Sequence, residues 1–276
     1  MRQVVKNYAQ GELLTLFDEL NALGEIVLFG GVLRDLALRS PSNFRSDVDL
    51  VVVTSSEQTF DEFFNSRNAR INRFGGYRIK LSHGSVDVWP LHRTWAFRTG
   101  AVHGSSPGDL LRTTYFSWDS IAYSWRTGRI FCRPTYLQEL RSRIVDLELP
   151  DNPYPLGALV RTLRLLVSRK AGVSLRLARH TYRLLSLYKP REIIKAEQRG
   201  FSSPYLEEGV VAQIFDLLVR FILQTEGSAS VFMLESNSQL SLPFLKNVPI
   251  HRAIASADDP SNENPWECSH QLKVGG

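Results

Sequence analysis

Two aspartates at alternate positions of an apolar segment are the residues best suited to chemistry. Asp47 and Asp49 open the run DVDLVVVT, whose β-branched composition predicts a strand over 47–54. Side chains at positions i and i+2 of a strand point to the same face, so the two carboxylates repel each other unless a cation lies between them. Carboxylate oxygens are ligands that suit Mg²⁺. The spacing therefore predicts a magnesium site.

A third carboxylate, Asp87, lies in the second strand of a predicted hairpin. The runs YRIKLS and VDVWPL alternate in polarity and are joined by HGS, which predicts a turn at 83–85. If the sheet sets this hairpin strand beside 47–54, the three aspartates form a cradle for two Mg²⁺ ions about 4 Å apart. One ion would hold a triphosphate, and the other would lower the pKa of an attacking hydroxyl. Asp87 would orient that hydroxyl and accept its proton.

A Gly-Gly turn precedes this strand and predicts a phosphate-binding element. The apolar segment EIVLF at 25–29 runs into Gly30 and Gly31, and VLRDLALR then predicts a helix. Without side chains, these glycines let backbone N–H groups approach phosphate oxygens at the helix N-terminus. Arg34, one turn into the helix, is expected to contact the triphosphate or the leaving pyrophosphate. Together the elements predict an enzyme that uses an NTP for in-line nucleotidyl transfer.

The remaining pattern predicts an α/β (α+β) fold, with a mixed sheet and flanking helices followed by a helical C-terminal domain. We predict a first domain at 1–149, a basic helical domain at 150–235 and a weakly structured tail at 236–276. The first domain is expected to contain further helices and strands: helices at 11–23, 57–67 and 135–143, and strands at 113–117, 120–124 and 129–132. In the second, a long helix is predicted over 159–187 and another over 207–224.

Positive charge is concentrated in one stretch of the second domain. The chain carries a net charge of +5, yet residues 161–199 alone hold eleven Lys or Arg against two acidic residues. This imbalance predicts a polyanionic partner, with RNA as the first candidate. Seven side chains are assigned to it, the first two near the triphosphate and the others on RNA phosphates: Arg161, Arg164, Arg169, Lys170, Arg176, Arg179 and Arg183. The alternative is a solvated helix face that interacts with acidic surfaces of the first domain.

Several classes of protein are excluded. Cys132 and Cys268 stand far apart in unlike contexts, which fits neither a disulfide framework nor a zinc site. No apolar run approaches the roughly 18 residues of a membrane-spanning helix. The N-terminal segment has no apolar run followed by a cleavage site, so no secretory signal is predicted. We expect a cytoplasmic protein with no membrane partner.

The segments FGGVLRDLALR and SDVDLVVV resemble the head domain of class II CCA-adding enzymes and bacterial poly(A) polymerases, in the polymerase-β-like nucleotidyltransferase superfamily. GSVDVWPLHR resembles the third-carboxylate strand of these enzymes, and LVRTLRLLVSRKAG resembles their first neck helix. The resemblance covers roughly residues 23–172. It implies a nucleotidyltransferase with Mg²⁺ and an NTP, and an RNA or tRNA 3′ end as acceptor. It also implies that Arg112 contacts the nucleotide.

Two departures from this resemblance affect nucleotide selection. The family has an Arg-Arg-Asp triplet where this chain has Arg112-Thr113-Thr114, and it has Glu-Asp-x-x-Arg, which selects C and A, where this chain has YPLGA at 154–158. The transfer chemistry is expected to carry over, whereas the nucleotide and the acceptor are not fixed. Two alternatives to an RNA acceptor stay open: nucleotidylation of a small molecule or protein, as in toxin or defence enzymes, and a non-catalytic RNA- or nucleotide-binding module.

Overall fold

The computed structural model describes residues 3, 5, 8–38, 48–72, 74–82, 84–225 and 230–234. The chain forms two compact units, which divide near residue 136, upstream of the proline-marked segment that begins at 150. Among the described residues, the first unit contains those up to 114 and 118–136, and the second contains 115–117 and those from 137 onward. The predicted tail at 236–276 and the predicted site residue Asp47 lie outside the described residues.

A mixed sheet, which the sequence predicted for this domain, forms the centre of the first unit and has seven strands among the described residues. Its strands are β1 (Glu25–Phe29), β2 (Val48–Val53), β3 (Arg70–Ile71), β4 (Tyr77–Leu81), β5 (Gly84–Pro90), β6 (Ile121–Ser124) and β7 (Ile130–Cys132). Their spatial order is β3-β4-β5-β2-β1-β6-β7. β2 and β5 run parallel, and the other neighbouring pairs are antiparallel. The sheet therefore brings two strands that are distant in sequence side by side.

Helices flank this sheet. They are α1 (Glu12–Asn21), α2 (Gly31–Leu38), α3 (Glu57–Asn65) and α4 (Trp95–Arg98), with 3₁₀ turns at Leu91–Arg93, Pro107–Thr113 and Ser117–Asp119. Apolar spacing places one face of α1 in the core, where Leu13, Phe17 and Leu20 are buried, while Leu14 is exposed. α5 (Tyr136–Ser142) begins where the first unit ends.

The predicted strand at 113–117 is wrong. Pro107 stands at the start of a 3₁₀ helix, where Ser106 and Asp109 form a capping box. The hydroxyls of Thr113 and Thr114 donate to the carbonyls of the preceding turn, at 2.7 and 3.2 Å. The β-branched and aromatic composition of 113–117 favoured a strand. Pro107 and the capping box instead start a 3₁₀ helix that extends to Thr113, so no strand begins there.

Besides α5, which continues into the second unit, the described part of this unit contains four helices and a small sheet. They are α6 (Pro155–Ser168), α7 (Leu175–Leu187), α8 (Pro190–Gly200) and α9 (Glu208–Gln224), with β8 (Ile144–Val145), β9 (Gly172–Ser174) and β10 (Val231–Phe232) in the order β10-β9-β8. No helix within the described ranges is both long and apolar enough to span a bilayer.

The predicted continuous helix at 159–187 is also wrong, because β9 interrupts it. α6 ends at Ser168, and Lys170 takes a left-handed φ of 49°. Gly172 lies against the neighbouring strand so closely that a Cβ there would be 2.7 Å from Val231 Cγ1. The hydroxyl of Ser174 then accepts from the Leu177 N–H at 3.1 Å and starts α7. Arg169 and Lys170 consequently lie in a turn and not on a helix face.

Candidate active site

Asp49 and Asp87 occupy paired positions on the two parallel strands of the sheet. β2 carries Asp49 and β5 carries Asp87, with these residues in register. Paired side chains point to the same face, and adjacent strands lie about 4.8 Å apart. Asp49 is half-buried and Asp87 is buried. The expected placement of the hairpin strand beside the Asp-bearing strand is confirmed, and the roles of these carboxylates stay predictions.

The carboxylate of Asp87 is held by two side chains that the sequence did not single out. Arg78, at the paired position on β4, donates from Nε to Oδ1 at 2.8 Å and from a terminal nitrogen to Oδ2. Asn72 Nδ2 donates to Oδ1 at 3.2 Å. The Asp87 side chain is 8% exposed and that of Arg78 is 44% exposed. Asp87 therefore has a fixed orientation and a compensated charge.

The register of the hairpin explains why Arg78 was missed. β4 ends at Leu81, which pairs with Gly84 at the start of β5, so two residues connect the strands. The predicted turn at 83–85 would have placed Leu81, and not Arg78, opposite Asp87. Gly84 has a φ of 145°, which other residues rarely adopt and which lets β5 start earlier. A two-residue turn, counted back along both strands, would have identified Arg78.

The Gly-Gly turn lies between β1 and α2, where the sequence predicted it. Gly30 adopts a φ of 77°, and its N–H donates to the carbonyl of Ile121 at 3.0 Å. A Cβ at Gly30 would meet no atom within 4 Å, so conformation and not space calls for glycine. Since the Gly30 N–H is engaged, the first free N–H groups of the α2 N-terminus begin at Gly31.

Arg34 contacts two carboxylates of its own unit. Nε donates to Asp35 Oδ1 at 2.9 Å, and a terminal nitrogen pairs with Asp119. The Arg34 side chain is 13% exposed. Burial by itself would lower the pKa of this guanidinium, but Asp119 and Asp35 outweigh it and raise that pKa. These contacts connect the first turns of α2 to the 117–119 turn, and the predicted triphosphate contact stays a prediction.

Arg112 lies at the end of the 107–113 turn and organises the loop before it. One terminal nitrogen donates to the His103 carbonyl at 2.6 Å and to Asp109 Oδ1 at 2.7 Å. Burial opposes ionisation of Asp109, yet hydrogen bonds from Ser106 and Arg112 lower the pKa of its carboxyl. The predicted nucleotide contact of Arg112 is therefore untested, and its observed contacts fix a loop.

In the second unit, Arg164 forms a buried ion pair. It donates to Glu197 Oε1 at 2.5 Å and to the Ser203 carbonyl at 2.8 Å. Its guanidinium lies over the rings of Phe201 and Tyr205, at 4.0 and 4.7 Å from their centroids. Glu197 is fully buried and also accepts the backbone N–H groups of residues 205 and 206 at 3.0 and 2.9 Å. These contacts favour a structural role for Arg164.

The other predicted cations of this unit lie mainly on its surface. Arg176, Arg179 and Arg183 are exposed along one face of α7, as their spacing predicted. Arg176 also pairs with Asp146, with a nitrogen–oxygen distance of 3.1 Å. Arg161 is exposed near the Phe116 ring, with its guanidinium carbon 5.7 Å from the ring centroid. In the turn after α6, the Arg169 carbonyl accepts from Arg143, and Lys170 is exposed.

The two described aspartates offer the donor chemistry that a divalent cation requires. Within the described ranges, no three His, Cys, Asp or Glu side chains group as ligands of one ion. Asp47, the third member of the predicted set, is outside those ranges. Asp49 and Asp87 nevertheless present carboxylates from paired positions of neighbouring strands. Oxygen donors of this kind fit Mg²⁺.

Comparisons with known proteins identify the fold. No protein-family model matches the sequence, and no curated protein matches it. Among solved structures, Thermotoga maritima CCA-adding enzyme complexed with tRNA is similar at 14% identity and a TM-score of 0.52, with 82% of this chain and 56% of that chain covered. A CCA-adding enzyme with CTP is similar at 14% identity and a TM-score of 0.51, with coverages of 82% and 57%.

A third solved structure is a tRNA nucleotidyltransferase complexed with a primer tRNA and an incoming ATP analog. It is 16% identical, with a TM-score of 0.50 and coverages of 76% of this chain and 62% of that chain. This chain therefore spans less than two thirds of the length of these structures. The similarity shows that this chain shares the fold of these CCA-adding enzyme and tRNA nucleotidyltransferase structures.

Proposed function

We propose that this chain, which has the fold of polymerase-β-like nucleotidyltransferases, transfers NMP from an NTP to the 3′ hydroxyl of an RNA, with tRNA as the first candidate. The observation that carries the proposal is the in-register pairing of Asp49 with Asp87 on parallel strands. Carboxylates on neighbouring strands with a common face are suited to holding the cations of in-line transfer. The Gly-Gly turn before α2 supplies the phosphate contact in the same unit.

The predicted carboxylates and the start of α2 have proposed tasks in this reaction. Asp49 and Asp87, with Asp47, would hold Mg²⁺, which when bound neutralises the triphosphate and lowers the pKa of the acceptor hydroxyl. Asp87 orients that hydroxyl. The N–H groups of Gly31 and Val32 at the start of α2 would donate to phosphate oxygens, because those of Leu33 and Arg34 already donate to the Gly30 carbonyl. The ion pair of Arg34 with Asp119 holds the start of α2 in place.

RNA is proposed as the acceptor because of the exposed cations on α7. Arg179 and Arg183 stand exposed on one face, and two of the similar solved structures contain tRNA. The nucleotide is not assigned. At 154–158, the Tyr154 ring packs so closely on Gly157 that a Cβ there would lie 2.2 Å from Tyr154 Cδ1. An aromatic ring thus occupies the start of α6, where the resembling enzymes have base-selecting polar residues.

The test measures label transfer. Wild type, Asp49→Asn, Asp87→Asn and the control Asp18→Asn, an exposed residue of α1, are incubated with Mg²⁺, total RNA and each α-labelled NTP in turn. Label is expected in an RNA band with wild type and Asp18→Asn. Loss of the metal ligands should reduce it by about a thousandfold or more. Undiminished labelling by Asp49→Asn would contradict the proposal.

RNA-free reactions in the same series separate the alternatives. Label in a small molecule or a protein, lost in Asp49→Asn, would assign a different acceptor to the same chemistry. Binding of an NTP without label transfer to any acceptor would identify a non-catalytic module.

A further inference from the structure

Arg78 and Asn72 occupy most of the acceptor capacity of Asp87. A carboxylate has about four lone-pair sites in its plane. Arg78 uses one on each oxygen, and Asn72 uses a second on Oδ1, at 3.2 Å. A cation that approaches Asp87 in this arrangement meets one remaining site on Oδ2. It also meets the positive charge of the guanidinium, which repels it.

Arg78 is placed so that it can leave. Its side chain is 44% exposed, whereas that of Asp87 is 8% exposed. On the other side of Arg78, the paired residue of β3 is Arg70, which is exposed. Like charges at directly paired positions destabilise each other. The Arg78 guanidinium can therefore exchange its contact with Asp87 for hydration by the surrounding water.

We propose that Arg78 is a displaceable counterion of Asp87, an inference that rests on the proposed function. In the cation-free protein, Arg78 holds the carboxylate in place and compensates its buried charge. A divalent cation that binds Asp49 and Asp87 displaces the guanidinium from Asp87, so the Arg78 contact opposes cation binding. Arg78 thereby sets the cation affinity of the site as a positioning residue.

The experiment measures Mn²⁺ binding by titration calorimetry, without nucleotide or RNA. The proteins are wild type, Arg78→Gln, Arg78→Lys and Asp49→Asn, with Arg70→Gln as the matched control on the adjacent strand. Removing a charge-assisted contact to Asp87 is expected to tighten Mn²⁺ binding about tenfold in Arg78→Gln. Arg70→Gln keeps the Arg78 contact and should change the affinity by about twofold or less. Equal or weaker binding by Arg78→Gln, or the same gain in Arg70→Gln, would overturn the proposal.

Arg78→Lys keeps the experiment decisive if Arg78→Gln does not fold. Lysine keeps the charge but cannot make the two-pronged contact, so an affinity about twofold to fivefold above wild type is expected. An affinity equal to or below that of wild type would overturn the proposal. Thermal unfolding with and without Mn²⁺ provides a second readout, because a cation that binds the folded protein stabilises it by an amount that rises with the logarithm of its affinity.

The proposed function and the counterion can fail separately. Mn²⁺ binding that is lost in Asp49→Asn and unchanged in Arg78→Gln would overturn the counterion role of Arg78 and leave the proposed metal site intact. No Mn²⁺ binding by wild type or Arg78→Gln would overturn both.

Discussion

Arg34 and Asp119 form a part-buried ion pair between residues 85 positions apart in the chain. Arg34 is also bonded to its neighbour Asp35 at 2.9 Å. A guanidinium between two carboxylates with little solvent exposure is a structural connection, because removing it leaves uncompensated charge. The arginine that the sequence assigned to a triphosphate therefore has a measurable role in the fold.

Replacing Arg34 with Met is expected to lower the free energy of unfolding by about 2–4 kcal/mol, since Asp35 and Asp119 lose the guanidinium that compensates their charge. Urea unfolding measures this loss. The double variant Arg34→Met/Asp119→Asn should recover part of it, because one of the stranded charges is gone. A change in NTP affinity with unchanged stability would instead support the triphosphate contact.

Gly30→Ala is expected to cost about 1 kcal/mol of stability through backbone conformation alone. The residue has a φ of 77°, and the added Cβ meets no atom within 4 Å. Gly209→Ala is the matched control, because its Cβ would also meet nothing within 4 Å and its φ is ordinary for a residue of α9. The control should be neutral or slightly stabilising in the same unfolding measurement. An equal loss in both variants would contradict the conformational explanation.

Neutralising cations on α7 should weaken RNA binding and its salt dependence. Arg179→Gln and Arg183→Gln are each expected to lower the slope of log affinity against log salt by about 1. Arg176→Gln should have a smaller effect, because Asp146 already compensates part of its charge. Arg191→Gln on α8, whose arginine is paired with Glu208, is the control. Filter binding over a salt series measures these slopes, and an unchanged slope in Arg179→Gln/Arg183→Gln would exclude this face.

Arg164→Met should destabilise the second unit by about 3–5 kcal/mol, because Glu197 would be left as an unpaired buried charge. At temperatures where the Arg164→Met variant is folded, we expect it to bind an NTP with the same affinity as wild type. Unfolding by urea and equilibrium NTP binding test the two parts. A loss of NTP affinity without a loss of stability would restore the predicted role near the triphosphate.

The ion pair of Asp61 with Arg93 predicts a pH dependence of stability. Two guanidinium nitrogens lie 2.8 and 2.9 Å from the Asp61 oxygens. These hydrogen bonds lower the pKa of the Asp61 carboxyl, although burial opposes them. The stabilisation is thus fully present above the ordinary carboxyl value of about 3.9 and is lost as the pH falls through the lowered value.

Urea unfolding from pH 7 to pH 2.5 measures this dependence. The stability difference between wild type and Asp61→Asn should shrink below pH about 4. If wild type remains more stable than Asp61→Asn by the same amount at pH 2.5, the ionised Asp61 carboxylate is not the source of that stability.

The sequence could predict the features that depend on local periodicity. The β-branched run of β2, the alternation in β4 and β5, the Gly-Gly turn before α2 and the spacing of cations on α7 are all patterns within about a dozen residues. Strand and helix periods decide which side chains share a face, so the predicted positions of these elements and side chains were confirmed. Where a local composition favoured two structures, as at 113–117 and at 169–174, capping residues and packing decided between them.

The partners of the candidate site residues depended on tertiary structure. Register is a property of two strands, and a change in turn length exchanges Leu81 for Arg78 opposite Asp87. Asp119 and Glu197 belong to no sequence motif. Each was missed because its ion-pair partner, Arg34 or Arg164, is distant in sequence. The sequence by itself determined which carboxylates and cations the chain offers. The tertiary structure decided which of their charges are already compensated, because an ion pair requires a distance that no sequence spacing specifies.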